Sequence, residues 1–238
     1  MKVLTIDVDY ITSNYSRFLE SDFNFSPNKR WTELFENTPL IPNDLHIDSA
    51  NLLFSLDVFS KAISRCNNVV FGSDHENILY LLENEKNIEL INLDQHHDIA
   101  YGINQVTDIE KYGICWESCW VWWLYSRNKL TSYDWICNET SQDYNQTYFK
   151  TPKPGFTPQT EDRNLPPLNV PFRSFFKENY EFSNFDFDLI FVSESKQYIA
   201  PQHWYCIDLF KILHYNTFKE YPKEINQKFK FDYSKHFS

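Results

Sequence analysis

A chain of 238 residues, 42% apolar and 18% aromatic, carries enough side-chain volume to bury one large core, so a disordered chain is excluded and a single domain over 1–238 is expected. Its 4 glycines allow neither a G-x-G-x-x-G nor a Walker-type phosphate loop, which removes the common nucleotide-dependent chemistries. Lysine plus arginine at 22 against aspartate plus glutamate at 33 gives a net charge of −11, a field that argues against nucleic acid as a partner and favours cations, whether a divalent metal or a guanidinium.

The apolar, β-branched run Lys2–Tyr10 is predicted as the first strand. It is too short for a signal sequence or a membrane span, so a cytoplasmic protein without a membrane partner is expected. Asp7 and Asp9 close this run and share a face by the period-two rule. A polar connection from Asn24 to Asn43 holds Pro27, Pro39 and Pro42 around a short helical piece near Trp31–Phe35. Asp48-Ser49 then caps a helix whose stripe Leu52, Leu53, Leu56, Phe59 and Ile63 is predicted core. Asn68–Phe71 reads as a short buried strand broken by Gly72, and Ser73-Asp74-His75-Glu76-Asn77 opens a helix through Leu82. His75 is thereby set at a strand-to-helix turn, where it serves either a ligand site or the turn itself. Ile88–Leu93 is the third strand and runs into Asp94-Gln95-His96-His97-Asp98. On an emerging strand Asp94, His96 and Asp98 point one way, while His97 points to the other face or stands beside the cluster where the chain turns.

Glu117–Leu124 is predicted as a buried helix with Trp120, Trp122 and Trp123 in the core, and Tyr133–Cys137 as a strand. The polar, proline-rich stretch 138–169 shows no periodicity and fits a lid or a wall of a substrate groove. Asp188–Val192 is the last predicted strand, ending in Ser193-Glu194-Ser195, and Pro201–Leu213 is a closing helix with a charged, aromatic tail after Tyr215. Cys66, Cys115, Cys119, Cys137 and Cys206 are odd in number and scattered, which fits reduced thiols. The strand and helix alternation predicts an α/β chain, a three-layer αβα arrangement with a mostly parallel sheet. Its C-terminal strand edge would gather Asp7, Asp9, His75, Asp94, His96 and Asp98. Such a nitrogen and oxygen donor set suits two divalent ions, Mn(II) most naturally, and a pair of ions lowers the pKa of a shared water for hydrolysis.

Gly72-Ser73-Asp74-His75 resembles the G-G-D-H motif of ureohydrolases, Asp94-Gln95-His96-His97-Asp98 their D-A-H-x-D motif, and Asp7-Val8-Asp9 their S-x-D-x-D segment. More closely, the chain is similar to the peptide arginase family, a diverged branch of the arginase-like fold whose characterised members convert arginine residues of ribosomally made precursor peptides to ornithine and urea. The resemblance spans most of the chain, to the late strand near Ser193-Glu194, and implies an arginase/deacetylase-like fold. It also implies two Mn(II) ions held by Asp7, Asp9, His75, Asp94, His96 and Asp98, and an arginine-containing peptide as partner. Two departures stand out. The D-x-D segment opens this chain, whereas in arginases it follows the D-x-H-x-D motif, and no segment matches the one that recognises a free amino acid's carboxylate and amine. The second departure favours a larger substrate than free arginine. A carboxylate must orient the guanidinium, for which Glu194 and Glu117 are candidates unless they are ordinary surface or capping residues. Proton delivery to the leaving amine falls to His97 or His203, with a packed imidazole the other reading of His97. The alternatives are a hydrolase of a small guanidino or amide compound and a non-catalytic peptide-binding relative. The sequence leaves the oligomeric state open.

Overall fold

The apolar runs of the sequence form the middle of a parallel sheet in a computed structural model that describes residues 1–13, 27–37, 46–100, 103–141 and 169–226. In chain order the strands are β1 (Lys2–Asp7), β2 (Thr12–Ser13), β3 (His46–Ile47), β4 (Val69–Gly72), β5 (Ile88–Leu93), β6 (Leu130–Cys137), β7 (Phe172–Phe176), β8 (Leu189–Ser193) and β9 (Lys223–Ile225). Seven of them make one sheet in the order β7-β6-β5-β1-β8-β4-β9, every neighbour parallel, while β2 and β3 pair separately and antiparallel.

Side-chain alternation sends each inner strand into two cores. Leu4 and Ile6 of β1, Ile91 and Leu93 of β5, and Ile190 and Val192 of β8 face one side, where α2 (Ser49–Ile63) and α6 (Tyr205–Phe218) pack through Val58, Phe59, Ala62, Ile207 and Phe210. Val3, Leu90, Leu189 and Phe191 face the other, against α3 (Leu79–Leu82), α4 (Ile103–Thr107) and α5 (Trp120–Ser126). The chain is therefore α/β with helices on both sheet faces, and burial on both faces explains why these strands read as continuous apolar runs rather than alternating ones. Each fully buried Leu, Ile or Phe contributes about 1.5–3 kcal/mol relative to exposure. The remaining described helix, α1 (Pro27–Asn37), is tied down by Trp31, whose Nε1 donates to the Lys196 carbonyl at 3.0 Å.

Several expectations are corrected. β7 and β9 are additional edge strands; Phe172–Phe176 alternates in burial and Lys223–Ile225 is short and mostly exposed, so neither shows an apolar run. The helix after Asp48 buries Asn51, Ser55, Val58, Phe59, Ala62 and Ile63, while Leu53 is 67% exposed. Asp48 fixes the first turn by accepting from the N–H groups of Ala50 and Asn51, and the phase it sets turns Leu53 outward. Most of the proline-rich stretch, residues 142–168, lies outside the described residues. All five cysteines are free. Among the described residues no helix is long and apolar enough to cross a membrane.

The connection leaving β1 leads through α2 toward β4 on one side of the sheet order, and the connection leaving β5 leads through α5 toward β6 on the other. The C-terminal ends of two adjacent strands whose connections diverge in this way are the usual ligand position of an open parallel sheet.

Candidate metal centre

The residues at this edge arrive on turns rather than on extended strand. Asp7 ends β1, and its Oδ1 accepts the Asp9 N–H at 3.1 Å, which folds Val8–Ile11 into a 3-10 turn. Asp9 thus reaches the same edge by a turn, and the period-two reading of Asp7 and Asp9 is corrected. His75 opens the 3-10 turn His75–Ile78 behind β4. β5 ends at Leu93, so Asp94 to Asp98 form a loop; Asp94 Oδ1 accepts the His96 N–H at 2.8 Å, and Asp98 sits at φ 48°. That left-handed conformation is unusual for a residue with a side chain, and Asp is among the few that tolerate it.

The turns bring the six expected ligands together. His75 Nδ1 lies 3.2 Å from Asp7 Oδ2, 3.0 Å from Asp94 Oδ2 and 3.0 Å from Asp98 Oδ2. His96 Nδ1 lies 3.1 Å from Asp9 Oδ2 and 4.0 Å from Asp94 Oδ1. Donor atoms of Asp7, His75 and Asp94 form one group within 4.8 Å, those of Asp9, Asp94 and His96 a second, and Asp94 belongs to both. All of these side chains are buried except His96, which is 29% exposed and marks the open side. There the Tyr198 ring packs on His96 at 5.6 Å, and the Arg30 guanidinium lies over Tyr198 at 5.0 Å.

Crowding four carboxylates in a buried site shifts their titration. Burial and the neighbouring Asp9 charge raise the Asp7 carboxyl to about 6, and burial together with Asp98, Asp9 and Asp7 raises Asp94 well above the carboxylate range. Burial opposes the charge on the two imidazoles, yet the facing carboxylates of Asp7, Asp94 and Asp98 raise His75 well above its ordinary value, and Asp9 brings His96 up to about 10. Asp98 is held below its ordinary value although burial pushes it up, because His75, His96 and the Trp120 N–H stabilise its anion.

The donor set could hold divalent metal. His75 Nδ1 is fully buried and has three carboxylate oxygens within 3.2 Å, but is aligned with none of them as a hydrogen bond. The buried Asp9 Oδ2 likewise accepts no hydrogen bond. Imidazole and carboxylate lone pairs that converge on a point without bonding one another have the arrangement a metal ion needs, and buried carboxylates without such a counter-charge are costly.

Three other expected residues stand outside this group, and a fourth has no described side chain. His97 is buried edge-on to Trp135 at 5.6 Å; its Nδ1 accepts the Ile99 N–H at 3.1 Å, and burial pushes its imidazole down to about 3. Its ring is enclosed beside Trp135 and its Nδ1 is taken by a backbone N–H, which agrees with the packed-imidazole reading of His97. Glu194 is buried with both carboxylate oxygens engaged, one by Lys196 Nζ and one by Lys211 Nζ, each at 2.6 Å. These ion pairs occupy the fork that a guanidinium would need, so Glu194 braces β8 against α6. His203 lies in the turn Pro201–His203 ahead of α6, its ring 6.2 Å from Tyr205. The backbone of Glu117 is in the turn Glu117–Cys119, and its side chain lies outside the described residues.

The structure adds residues that the sequence reading left in other roles. Asn92 of β5 and Trp120 of α5 both bond to the expected ligands, Asn92 Nδ2 to Asp94 Oδ2 at 3.1 Å and Trp120 Nε1 to Asp98 Oδ2 at 2.6 Å. A polar Asn inside an apolar strand was a readable signal; nothing in the sequence distinguishes Trp120 from its neighbours Trp122 and Trp123. No protein-family model, curated protein or solved structure matches the chain.

Proposed function

We propose that this protein is a dimanganese hydrolase of the peptide arginase type, converting arginine residues of a peptide to ornithine with release of urea. The observation that carries the reading is the division of Asp94 between the two histidines, with Oδ2 3.0 Å from His75 Nδ1 and Oδ1 4.0 Å from His96 Nδ1. One carboxylate joining two nitrogen and oxygen donor groups is the architecture of a binuclear centre. Asp7, His75, Asp94 and Asp98 would hold one ion, and Asp9, Asp94 and His96 the other. Bound there, two ions supply a water of lowered pKa as the nucleophile for an electrophilic carbon. In the overall reaction the water oxygen bonds to the guanidinium carbon, the bond from that carbon to the side-chain nitrogen breaks, and that nitrogen leaves as the ornithine amine.

The chain's own residues favour a cationic substrate entering from one side. Among the described residues of the cluster, His96 is the partly exposed one, beside the Tyr198 ring, while His75 is buried. The net charge of −11 draws cations toward the molecule. Urea release from the Mn(II)-loaded protein, assayed with an arginine-containing peptide, free arginine and agmatine, tests the reading. Urea from the peptide in excess of both small compounds is expected. Urea only from agmatine or free arginine would move the substrate to a small guanidino compound, and no urea from any of the three would remove the ureohydrolase reading.

A further inference from the structure

The three carboxylate oxygens that face His75 Nδ1 are each held from behind by one neutral donor, and each donor stands on a different element. Ser195 Oγ, just beyond β8, donates to Asp7 Oδ2 at 2.7 Å. Asn92 Nδ2, on β5, donates to Asp94 Oδ2 at 3.1 Å, and Trp120 Nε1, on α5, donates to Asp98 Oδ2 at 2.6 Å. The donors are themselves fixed. Ser195 is buried at φ 40° with its hydroxyl 2.7 Å from that of Ser193, and Asn92 Oδ1 accepts from Thr5 Oγ1. Trp120 is fully buried with its ring 4.7 Å from that of His75, which stacks at 6.2 Å and 11° on Phe191 from another direction.

The His96 side is built differently. Asp9 Oδ2, the oxygen that faces His96, is buried and accepts no hydrogen bond, the other Asp9 oxygen takes only the Gln95 backbone N–H at 3.4 Å, and Asp94 Oδ1 is held by the backbone N–H of His96 itself. His96 is partly exposed and rests on Tyr198. Ligands already oriented by outer donors lose little freedom when an ion binds, and neutral donors orient a carboxylate without bringing a competing cation. Ligands that are loosely held and open to water bind more weakly and exchange with solvent.

We infer that Trp120, Ser195 and Asn92 are positioning residues that preorganise the His75 half of the centre. On this inference the two ions load in order, the His75 side first and tightly, the His96 side second and exchangeably. This rests on the binuclear reading proposed above. The catalytic assembly then responds to the supply of free metal, since the chain carries one resident ion and recruits the second at the partly exposed His96 side.

Calorimetric titration of the metal-free protein with Mn(II), with the electron paramagnetic resonance spectrum recorded at each equivalent, tests it. Two resolved steps are expected, the first giving an isolated Mn(II) signal and the second changing it by coupling. His96→Ala should abolish the second step and leave the first. Trp120→Phe keeps the ring and removes the N–H, and should weaken the first step about ten- to a hundredfold. Ser195→Ala acts on the same step through a second donor should Trp120→Phe fold poorly, and Trp122→Phe, in the same helix but outside the set of donors, should leave both steps unchanged. Two equal steps, loss of the first step in His96→Ala, or indistinguishable effects of Trp120→Phe and Trp122→Phe would overturn the ordering while leaving a binuclear centre. Absence of any Mn(II) binding would overturn the binuclear reading, and the ordering with it.

Discussion

Gly72 lacks a side chain because Phe191 occupies the space one would take. A Cβ built there meets the tip of the buried Phe191 ring and lies 3.1 Å from the Asn77 Cβ, and Phe191 is the ring on which His75 stacks. Gly72→Ala is therefore expected to overpack the turn that carries His75, at about 1–3 kcal/mol. Thermal unfolding should show a melting temperature lower by roughly 2–4 °C per kcal/mol for a chain of this size. An unchanged melting temperature would contradict the packing argument. The ligands make a second prediction, on pH. Groups whose folded pKa is raised favour the folded state at low pH and lose that contribution as pH climbs through the folded value. For Asp7 the window runs from the ordinary 3.8 to about 6, and for His96 from the ordinary 6.5 to about 10. Asp98, held below its ordinary 3.8, acts in the opposite sense only at still lower pH. The metal-free protein should accordingly lose stability as pH rises from 6 toward 10, whereas metal binding strengthens over the same range because protons leave the ligands. The rise in melting temperature on adding Mn(II) should thus be larger at pH 8.5 than at pH 6, and a larger rise at pH 6 would contradict the proton competition. His97 shows why residue type alone misled. Beside His96 in sequence, it is buried with its Nδ1 accepting from Ile99, and burial pushes its imidazole down.

At the scale of elements, α2 separates what a hydrophobic stripe suggests from what the helix buries. Phe59 is fully buried and meets Phe71 and Phe210 edge-on at 6.2 and 5.3 Å, so Phe59→Ala should cost roughly 3–5 kcal/mol in chemical denaturation. Leu53→Ser, on the exposed face, should stay within about 0.5 kcal/mol of the parent. A comparable loss in both would place Leu53 in the core after all. The same contrast accounts for how much of the fold was legible. β5 was read at its true bounds, and β1 and β8 nearly so, because burial on both faces makes Ile88–Leu93, Lys2–Asp7 and Leu189–Ser193 predominantly apolar runs. The edge strands β7 and β9 owe their existence to a single neighbour each, β6 and β4, and leave little pattern in their own residues. Within the site, the meeting of the six residues was legible because strand ends in a parallel sheet share one edge. The way they converge was not, since the 3-10 turn at Val8–Ile11 and the left-handed Asp98 are set by local bonds that period-two reasoning ignores. The donors behind the ligands were hidden for another reason, since Ser195 Oγ meets Asp7 across 188 residues and only the strand order brings them together.

The whole molecule places its charge and its topology in agreement. An acidic chain gathers a buried cluster of carboxylates with two histidines interleaved at the C-terminal sheet edge where the connections of β1 and β5 diverge. Burying such a cluster without counter-ions is unfavourable, and two divalent cations offset it. The most direct test is the metal content of the purified protein after dialysis against Mn(II), measured together with that of Asp94→Ala. The account predicts two Mn(II) per chain in the parent and loss from both positions in Asp94→Ala, because that single carboxylate faces both histidines. A parent chain that retains no Mn(II), or an Asp94→Ala chain that retains both ions, would contradict it.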